Sequence, residues 1–464
     1  MITATFADEK PLQLKIAYLG GGSRGWARIL MQDLALCPRL GGEVCLYDIN
    51  LEAAQLNAQL GHWIQSQPGV VASWRYRAVP TIEEALRGAD FVVCSIQPGP
   101  LEAMEADLAI PARYGLLYPV GDTIGAPGLV RGLRAVLIYE GFAQKIAELC
   151  PQAWVINYTN PMTICTRALY RVYPQIKAFG CCHEVFGTQE LLADLVAKYL
   201  GAPRPARQEI EVNVLGINHF TWIDRAQYKG HDLLALVRHH IAQEGVLRPY
   251  TKEEVLGWGS YFACAHQVKF ALFQRYGLLP CAGDRHLAEF VPGFLRDEET
   301  IYRWGFLLTP ISYRYARWAE APARTRALMA GQEPFVLQHS SEEGVEQMCA
   351  LLGLGNMMTN CNLPNQGQIP NLPLGAVVET NAYFSRDSVR PLVAGSLPAG
   401  VLNLVEPHVR NQELIVEAAL ARDADLAFQA VFSDPLTTLP LDKAWEMFTA
   451  MLEATRDYLP GFRW

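Results

Sequence analysis

The segment "LKIAYLGGGSRGWARILMQDLALCP", residues 14–38, restricts the fold of this chain more than any other feature. A short apolar run ends at Gly20, and Gly22 and Gly25 complete the spacing G-x-G-x-x-G. Apolar side chains then recur at helical spacing, so the glycines lie between a predicted strand and a predicted helix. Glycines in that setting allow a tight turn and a close approach of the backbone to a pyrophosphate. The pattern predicts a dinucleotide site formed by Gly20, Gly22, Ser23, Arg24 and Gly25.

A second predicted strand, "EVCLYD", ends at Asp48. A carboxylate at this place can accept hydrogen bonds from both ribose hydroxyls and repels a 2′-phosphate, so it favours NAD over NADP as the cofactor. The same residues also fit a plainer interpretation, in which the glycines only form a turn and Asp48 caps the next helix.

Strands and helices keep alternating through the first half of the chain. Further strands are predicted at "SWRYRAV", "FVVCSI", "AWVINYT" and "IKAFGCC", and helices at "TIEEALRGA", residues 128–149 and "PMTICTRALYRVY". Six strands with helices between them predict an α/β fold with a Rossmann-like, doubly wound parallel sheet. Ligands of such sheets bind at the carboxyl ends of the strands, which is where Asn160 and Cys182 are predicted to lie.

The second half of the chain has a weaker pattern. The stretch "GAPRPAR", residues 201–207, is the clearest junction. We therefore predict an NAD-binding domain over residues 1–200 and an α+β domain for substrate, metal and oligomer contacts over residues 201–464. The stretch "EVNVLGINHFTWI" alternates like a single strand that carries His219, and helices are predicted near residues 409–432 and 442–457.

Cys182 and His219 are candidate ligands of one divalent ion. A thiolate and an imidazole together suit a borderline metal such as Mn(II), Fe(II), Co(II), Ni(II) or Zn(II). Two residues so far apart in the sequence also fit a packed cysteine and a hydrogen-bonded histidine, so spacing alone leaves the question open. The 11 cysteines are odd in number and most lie in apolar runs, which indicates reduced, buried thiols. The absence of a C-x-x-C pair argues against a structural zinc site.

The overall charge and the chain start limit the classes of partner. A formal net charge of −8 argues against nucleic acid, because a phosphate-binding surface is basic. The start, "MITATFADEKPLQ", has neither the basic nor the apolar region of a signal peptide. No apolar run approaches the roughly 20 residues that span a bilayer. We expect a cytoplasmic protein with no membrane partner.

Several motifs together resemble glycoside hydrolase family 4. They are "GGGSRG", "INYTNPM", "GCCHEVFG", "GINHF" and "RYGLLPCAGDRHLAEF", followed by "NQGQIPNLPLGAVVE" and "VEPHVRNQELIVEAAL". The resemblance covers nearly the whole chain and implies a Rossmann-like domain with an α+β domain, NAD, and a divalent metal, commonly manganese. It also implies a redox cycle, in which NAD⁺ takes a hydride from C3 of the sugar, a base removes the C2 proton, the aglycone leaves, water adds and the hydride returns.

The resemblance also implies roles for individual residues. Cys182 and His219 would be the metal ligands, and Asn160 would contact substrate hydroxyls. Asp284 matches the base of family members with an alpha-glucosidase type of site, while Tyr261 is a rival because a nearby tyrosine serves in the phospho-glycosidase branch.

Four further positions complete the predicted site. His183 directly follows the metal cysteine and is the candidate acid. Asp122, in "VGDTIGAPG", is either a polar contact in the cleft or a turn residue. His286 is a candidate substrate contact or a packing residue, and Arg285 is the first candidate for binding a substrate carboxylate.

The motif "CHEV" at residues 182–185 resembles the branch of the family associated with alpha-galacturonidase activity. The expected substrate is therefore an alpha-galacturonide, and the expected assembly is a homodimer or homotetramer. Alternatives are an alpha-glucosidase or alpha-glucuronidase of the same family, a net NAD-dependent sugar or hydroxy-acid dehydrogenase, and an NAD-binding protein without metal or turnover.

Overall fold

The computed structural model describes residues 10–464, which form two β-sheets surrounded by helices. The strands are β1 (Leu12–Leu19), β2 (Leu40–Tyr47), β3 (Trp74–Val79), β4 (Phe91–Cys94), β5 (Trp154–Asn157), β6 (Lys177–Gly180), β7 (Glu211–Ile217), β8 (Phe220–Tyr228), β9 (His231–Asp232), β10 (Leu279–Pro280), β11 (Met357–Pro364), β12 (Val377–Ser385) and β13 (Ser388–Pro391).

The helices alternate with these strands. They are α1 (Trp26–Ala35), α2 (Leu51–Gln65), α3 (Ile82–Leu86), α4 (Leu101–Ala112), α5 (Gly125–Leu149), α6 (Met162–Val172), α7 (Glu184–Leu200), α8 (Leu233–Glu244), α9 (Lys252–Leu256), α10 (Gln267–Tyr276), α11 (Asp284–Phe290), α12 (Glu298–Arg303), α13 (Ile311–Met329), α14 (Gly344–Leu351), α15 (Ala399–Ala421), α16 (Ala424–Phe432) and α17 (Leu441–Ala454). No helix in this part of the chain is both long and apolar enough to cross a membrane.

The large sheet has the strand order β13-β12-β11-β6-β5-β4-β1-β2-β3. The six strands from β6 to β3 are parallel, and the order reverses between β1 and β4. This arrangement confirms the predicted Rossmann-like doubly wound sheet. The carboxyl ends of β1 and β4, on either side of this reversal, are the natural place for a bound ligand, because the loops that follow them diverge to opposite faces of the sheet.

Three antiparallel strands from the second half extend the same sheet. β11 pairs with β6 through Asn362 opposite Gly180, and β12 and β13 follow outward. Helices α15 to α17 also pack on the large sheet beside α5 and α6, whereas α1, α2 and α14 cover its other face. The large sheet and the helices that cover it therefore contain residues from both sides of the predicted domain boundary at residue 200. That boundary stays a prediction.

The stretch predicted as one strand around His219 is a hairpin, so that prediction was wrong. β7 and β8 are antiparallel, with Ile217 opposite Phe220 and only Asn218 and His219 between them. His219 has φ +62°, in the left-handed region that reverses the chain. The alternation misled because both strands bury apolar side chains on the same side of the small sheet formed by β7, β8, β9 and β10. The turn brings His219 to the end of that sheet nearest the large one.

Candidate functional site

The glycine-rich turn has the tight geometry that its sequence predicts. Gly20 has φ +95°, and a Cβ at this position would lie 2.1 Å from the carbonyl oxygen of Ser95, so only glycine fits. At Gly22 a Cβ would lie 2.9 Å from Asp48 Oδ2. A Cβ at Gly25 would meet nothing within 4 Å, so packing does not require the third glycine of the pattern. The first two glycines therefore define the turn.

The carboxylate of Asp48 is held by the turn itself. The backbone N–H groups of Gly22 and Asn50 each donate to it at 2.8 Å. Asn50, and not Asp48, caps α2 by accepting the Ala53 N–H at 3.0 Å, so the plainer interpretation of Asp48 as a helix cap does not describe this structure. The contact of Asp48 with a ribose stays a prediction.

A groove of about 140 Å³ lies beside this turn, and its far wall comes from the second half of the chain. Gly22 and Arg24 line one side, and Ala321, Thr325 and Arg326 of α13 line the other. The Arg24 guanidinium lies over the ring of Trp318, 4.4 Å from its centroid. Helix α13 therefore completes a groove that the Rossmann-like half begins.

A larger cavity of about 480 Å³ lies at the carboxyl ends of β5 and β6. Eight of the residues predicted from the sequence line it: Asp122, Asn160, Cys182, His183, His219, Asp284, Arg285 and His286. Tyr261 lies outside the set of lining residues among positions 10–464, and its ring packs instead on Tyr313, 4.9 Å away between centroids. Five different loops and helix starts therefore converge on one cavity.

Asp122, His219 and His286 form a cluster fit for a metal ion. One ligand atom from each lies within 4.8 Å of the others, and the two imidazole rings are 3.9 Å apart between centroids. Nδ1 of His286 is buried with no hydrogen-bond partner in the described chain. A carboxylate with two imidazoles suits Mn(II) and its neighbours in the transition series. Sequence spacing did not identify this triad.

Thr123 fixes the proton on His219. Its hydroxyl donates to Asp122 Oδ1 at 2.8 Å, so the Nδ1–H of His219, 2.7 Å away, donates to the same hydroxyl oxygen. Nε2 of His219 is then unprotonated and free to bind a cation. Such support behind a ligand histidine is what metal sites in proteins require.

The charge state of Asp122 agrees with a ligand role. Burial favours the neutral acid, but nearby His286 and His219 hold the pKa of Asp122 below its usual range. Asn160 adds a weak hydrogen bond, with its Nδ2 donating to Asp122 Oδ2 at 3.4 Å. The turn-residue interpretation of Asp122 is therefore incomplete, since its side chain faces the cavity.

Cys182 lines the cavity but is not a member of the triad. Burial, reinforced by the charges of Glu379 and Glu184, raises the pKa of its thiol well above the ordinary value. Its carbonyl oxygen accepts a hydrogen bond from Asn360 Nδ2 at 3.2 Å, which anchors the segment after β6 to β11. A bound cation would favour the thiolate, so metal ligation by Cys182 stays a prediction.

Asp284 has the properties of a general base. It begins α11 and is fully buried, and burial raises its pKa to about 6. One oxygen, Oδ1, accepts the backbone N–H of Lys269 at 3.0 Å. The other oxygen, Oδ2, has no hydrogen-bond partner within residues 10–464. Asp284 also lines the cavity, so this oxygen is the acceptor atom that the described chain leaves without a partner next to it.

His183 stands at the rim of the cavity beside an aromatic stack. Its Nδ1 lies 3.0 Å from Glu342 Oε1, and this hydrogen bond raises the pKa of the imidazole. Its ring stacks on Trp26 at 5.7 Å between centroids, and Trp26 stacks on Tyr158 at 5.4 Å. Neither aromatic residue was singled out from the sequence, because each lies in a segment already explained by packing.

Glu184 ties two walls of the cavity together. Its Oε2 accepts the backbone N–H of Gly283 at 2.7 Å, and its Oε1 lies 3.8 Å from His286 Nε2. Burial alone would raise the pKa of Glu184, but His286, His219 and the Gly283 N–H together lower it to about 2. The carboxylate thus holds the start of α11 against the start of α7.

Comparisons with known proteins agree with this geometry. The sequence model of the family described as family 4 glycosyl hydrolase matches residues 15–198. The sequence model of the C-terminal domain of that family matches residues 214–437. An alpha-galacturonidase of Thermoanaerobacterium saccharolyticum is 49% identical over 461 residues, covering 99% of each chain.

Solved structures show the same fold. The crystal structure of Bacillus subtilis lplD matches with a TM-score of 0.89 at 50% identity, covering 95% of this chain and 100% of that one. A 6-phospho-alpha-glucosidase from gut microorganisms, solved with NAD and Mn²⁺, matches with a TM-score of 0.79 at 20% identity, covering 97% and 100%.

Proposed function

The chain belongs to family 4 of the glycosyl hydrolases, and we propose that it cleaves alpha-galacturonides by a redox cycle with NAD and a divalent ion, Mn²⁺ first. The family membership confirms the resemblance drawn from the sequence motifs. The observation that carries the substrate and mechanism is the single cavity in which a metal-binding triad, a carboxylate with a free oxygen and buried guanidinium groups meet. The 49% identity with an alpha-galacturonidase, which extends over nearly the full length of both chains, supports the same substrate.

The chain offers a place for both cofactors. Gly20, Gly22 and Asp48 would bind NAD along the groove that α13 closes. Asp122, His219 and His286 would hold the ion, with Cys182 as a further ligand from the same wall. When bound, NAD takes up and returns a hydride at C3 of the sugar, and the ion polarises the sugar oxygens.

Asp284 would hold the proton that leaves C2. Its pKa of about 6 leaves it mostly ionised at neutral pH yet basic enough to accept a proton, which is the compromise a general base needs. Its free Oδ2 supplies the acceptor atom. Tyr261 is the weaker candidate, since its ring is packed on Tyr313.

His183 would donate a proton to the departing oxygen. The hydrogen bond with Glu342 favours the protonated imidazole, and the ring is partly exposed at the rim, where an aglycone would leave. Asn160 would contact sugar hydroxyls, since its Oδ1 is buried without a partner in residues 10–464. Arg285 would bind the C6 carboxylate of the sugar.

The decisive experiment uses nitrophenyl alpha-galacturonide with NAD⁺, Mn²⁺ and a thiol. We expect nitrophenol release without lasting absorbance at 340 nm, and product formed in D₂O should carry deuterium at C2. Asp284→Asn should abolish release, whereas Asp442→Asn, at an exposed position on α17, should not change it.

Other outcomes identify the alternatives. NADH accumulating in proportion to product would instead identify a net dehydrogenase. Nitrophenol release from an alpha-glucoside or an alpha-glucuronide, but not from the galacturonide, would identify an alpha-glucosidase or alpha-glucuronidase of the same family. Product without deuterium at C2 would contradict elimination.

We also propose that the enzyme is cytoplasmic, and that it is a homodimer or homotetramer as the family resemblance implies. Sedimentation of the purified protein tests the assembly, and a monomer at micromolar concentration would contradict it.

A further inference from the structure

Two arginines lie side by side on the wall of the large cavity. Arg285 is the second residue of α11, and Arg314 is in the first turn of α13. The Nη2 of Arg285 donates to the carbonyl oxygen of Pro119 at 3.2 Å, and the Nη2 of Arg314 donates to that of Val120 at 3.4 Å. Because these two carbonyls are consecutive in the chain, the two guanidinium groups are held next to each other.

Neither guanidinium has a carboxylate partner. The described chain contains no salt bridge to Arg285 or Arg314, and the Nε of each is buried without a hydrogen-bond acceptor. Two other buried arginines are paired with carboxylates: Arg134 makes two hydrogen bonds to Asp107, and Arg207 bonds Glu343 at 2.8 Å. Buried Arg131 has no salt bridge within positions 10–464 either, but it donates to the Asn160 carbonyl and to Gln97 at 3.0 Å. Arg285 is only 6% exposed. The charges of Asp122 and Glu289 act on both guanidinium groups, but neither carboxylate approaches closely enough for a salt bridge. Within the part of the chain that the structure describes, each arginine therefore keeps an unpaired Nε–H, and leaving such a donor unsatisfied is costly unless a ligand supplies an acceptor.

The surrounding contacts hold Arg285 in place. Besides Pro119, Arg285 donates to the Thr309 hydroxyl, and its guanidinium lies 5.1 Å from the ring centroid of Phe262. The Thr309 N–H donates back to Pro119 at 3.1 Å. The guanidinium of Arg285 is thus fixed in orientation before any ligand arrives, which lowers the entropy lost on binding.

We infer that Arg314 and Arg285 together clamp the C6 carboxylate of the substrate, and that Arg314 is the residue that distinguishes a uronide from a neutral glycoside. The inference rests on the proposed function. Planar guanidinium groups match the two oxygens of a carboxylate, and each unsatisfied Nε supplies a donor. Arg314 lies outside the motifs that carry the family resemblance, and it was not identified from the sequence.

The test compares Arg314→Ala and Arg314→Lys with Arg317→Ala, an exposed arginine on the same helix. Each variant is assayed with nitrophenyl alpha-galacturonide and nitrophenyl alpha-galactoside, and its NAD affinity is measured by titration. Losing one charge-assisted contact should lower kcat/KM for the galacturonide by roughly 10- to 100-fold, mainly through KM. The galactoside value and NAD affinity should change by less than about threefold, and Arg314→Lys should recover part of the loss.

Equal losses for both substrates, or no loss for the galacturonide, would overturn the clamp. If the wild type cleaves no galacturonide, the proposed function fails; binding of free galacturonate, measured by calorimetry on the wild type and on Arg314→Lys, then decides the clamp separately. Weaker galacturonate binding to the variant supports the clamp, and unchanged binding rejects it. A wild type that prefers a 6-phosphate glycoside over the uronide also rejects the carboxylate assignment.

Discussion

Replacing Glu289 with glutamine should make the protein less sensitive to alkaline pH. Glu289 is fully buried on α11, and its Oε1 accepts the backbone N–H groups of Val120 at 2.6 Å and Gly121 at 2.8 Å. Burial raises its pKa to about 8, although those N–H groups oppose the shift. In the unfolded chain the same group loses its proton near pH 4.5. The folded state therefore binds an extra proton between these two values.

The direction and size of the change in unfolding free energy follow from the difference between the two pKa values. Stability contributed by the neutral acid is complete below about pH 4.5 and is lost as pH rises through about 8, at about 1.4 kcal/mol per pH unit. Glu289→Gln keeps the accepting oxygen and cannot ionise. Its unfolding free energy should rise relative to the wild type by up to about 5 kcal/mol between pH 4.5 and pH 8, on top of a pH-independent offset of about 1–2 kcal/mol for an unpaired amide.

Urea unfolding at several pH values, in EDTA and without NAD, measures this difference. A bound cation would add its own charge, so the metal-free protein is the cleaner sample. Glu299→Gln, at an exposed position on α12, is the control and should follow the wild-type curve. If the curves of Glu289→Gln and the wild type run parallel from pH 5 to pH 8, Glu289 is already ionised in the fold and the reasoning is refuted.

Three other changes test separate parts of the molecule. Gly22→Ala should weaken NAD binding at least about tenfold in a fluorescence titration, because the new methyl group would meet Asp48 Oδ2 at 2.9 Å; unchanged affinity would place NAD elsewhere. Thr123→Val should weaken Mn²⁺ binding by about 10- to 100-fold in calorimetry, since the proton on His219 is no longer fixed; equal affinity would remove Thr123 from the site. Asp107→Asn should lower the unfolding free energy by about 3–5 kcal/mol, because Arg134 stays buried with a weakened partner, and a loss under 1 kcal/mol would show that the pair is solvated.

The parallel part of the large sheet could be predicted from the sequence because its central strands are buried on both faces. Strand β4, for example, is four consecutive buried apolar residues, and such runs separated by helical patterns specify parallel pairing. Helix α4 was missed because its apolar residues are spread around its circumference and it carries Pro111. The three antiparallel strands were missed because their pairing with the edge of the parallel sheet, where Asn362 lies opposite Gly180, depends on tertiary contacts alone.

The residues of the candidate site also fall into those that the sequence could predict and those that only the fold brings together. Residues in motifs, such as Cys182 and Asp284, were found because family motifs record them. Arg314 and the link from Thr123 to His219 carry no local signal, since an arginine on an exposed helix usually faces solvent. Arg314 lines the cavity only because α13 lies across it, and the proposed ligand-binding role rests on that position. The metal triad likewise depends on three segments that only the fold brings together.

Three carboxyl groups in and around the cavity have environments that suit the three different tasks proposed for them. Asp122 is kept charged by His286 and His219, so it is suited to hold a cation. Burial raises the pKa of Asp284 to about 6, so it can gain and lose a proton near neutral pH. Glu289, with a pKa of about 8, stays neutral and holds the loop that carries Asp122. Groups whose pKa values are separated by their surroundings identify acid and base roles, and here α11 carries two of the three. Because Asp284 and Glu289 lie on the same short helix, a shift of α11 would move the proposed base and loosen the support of the proposed metal ligand together.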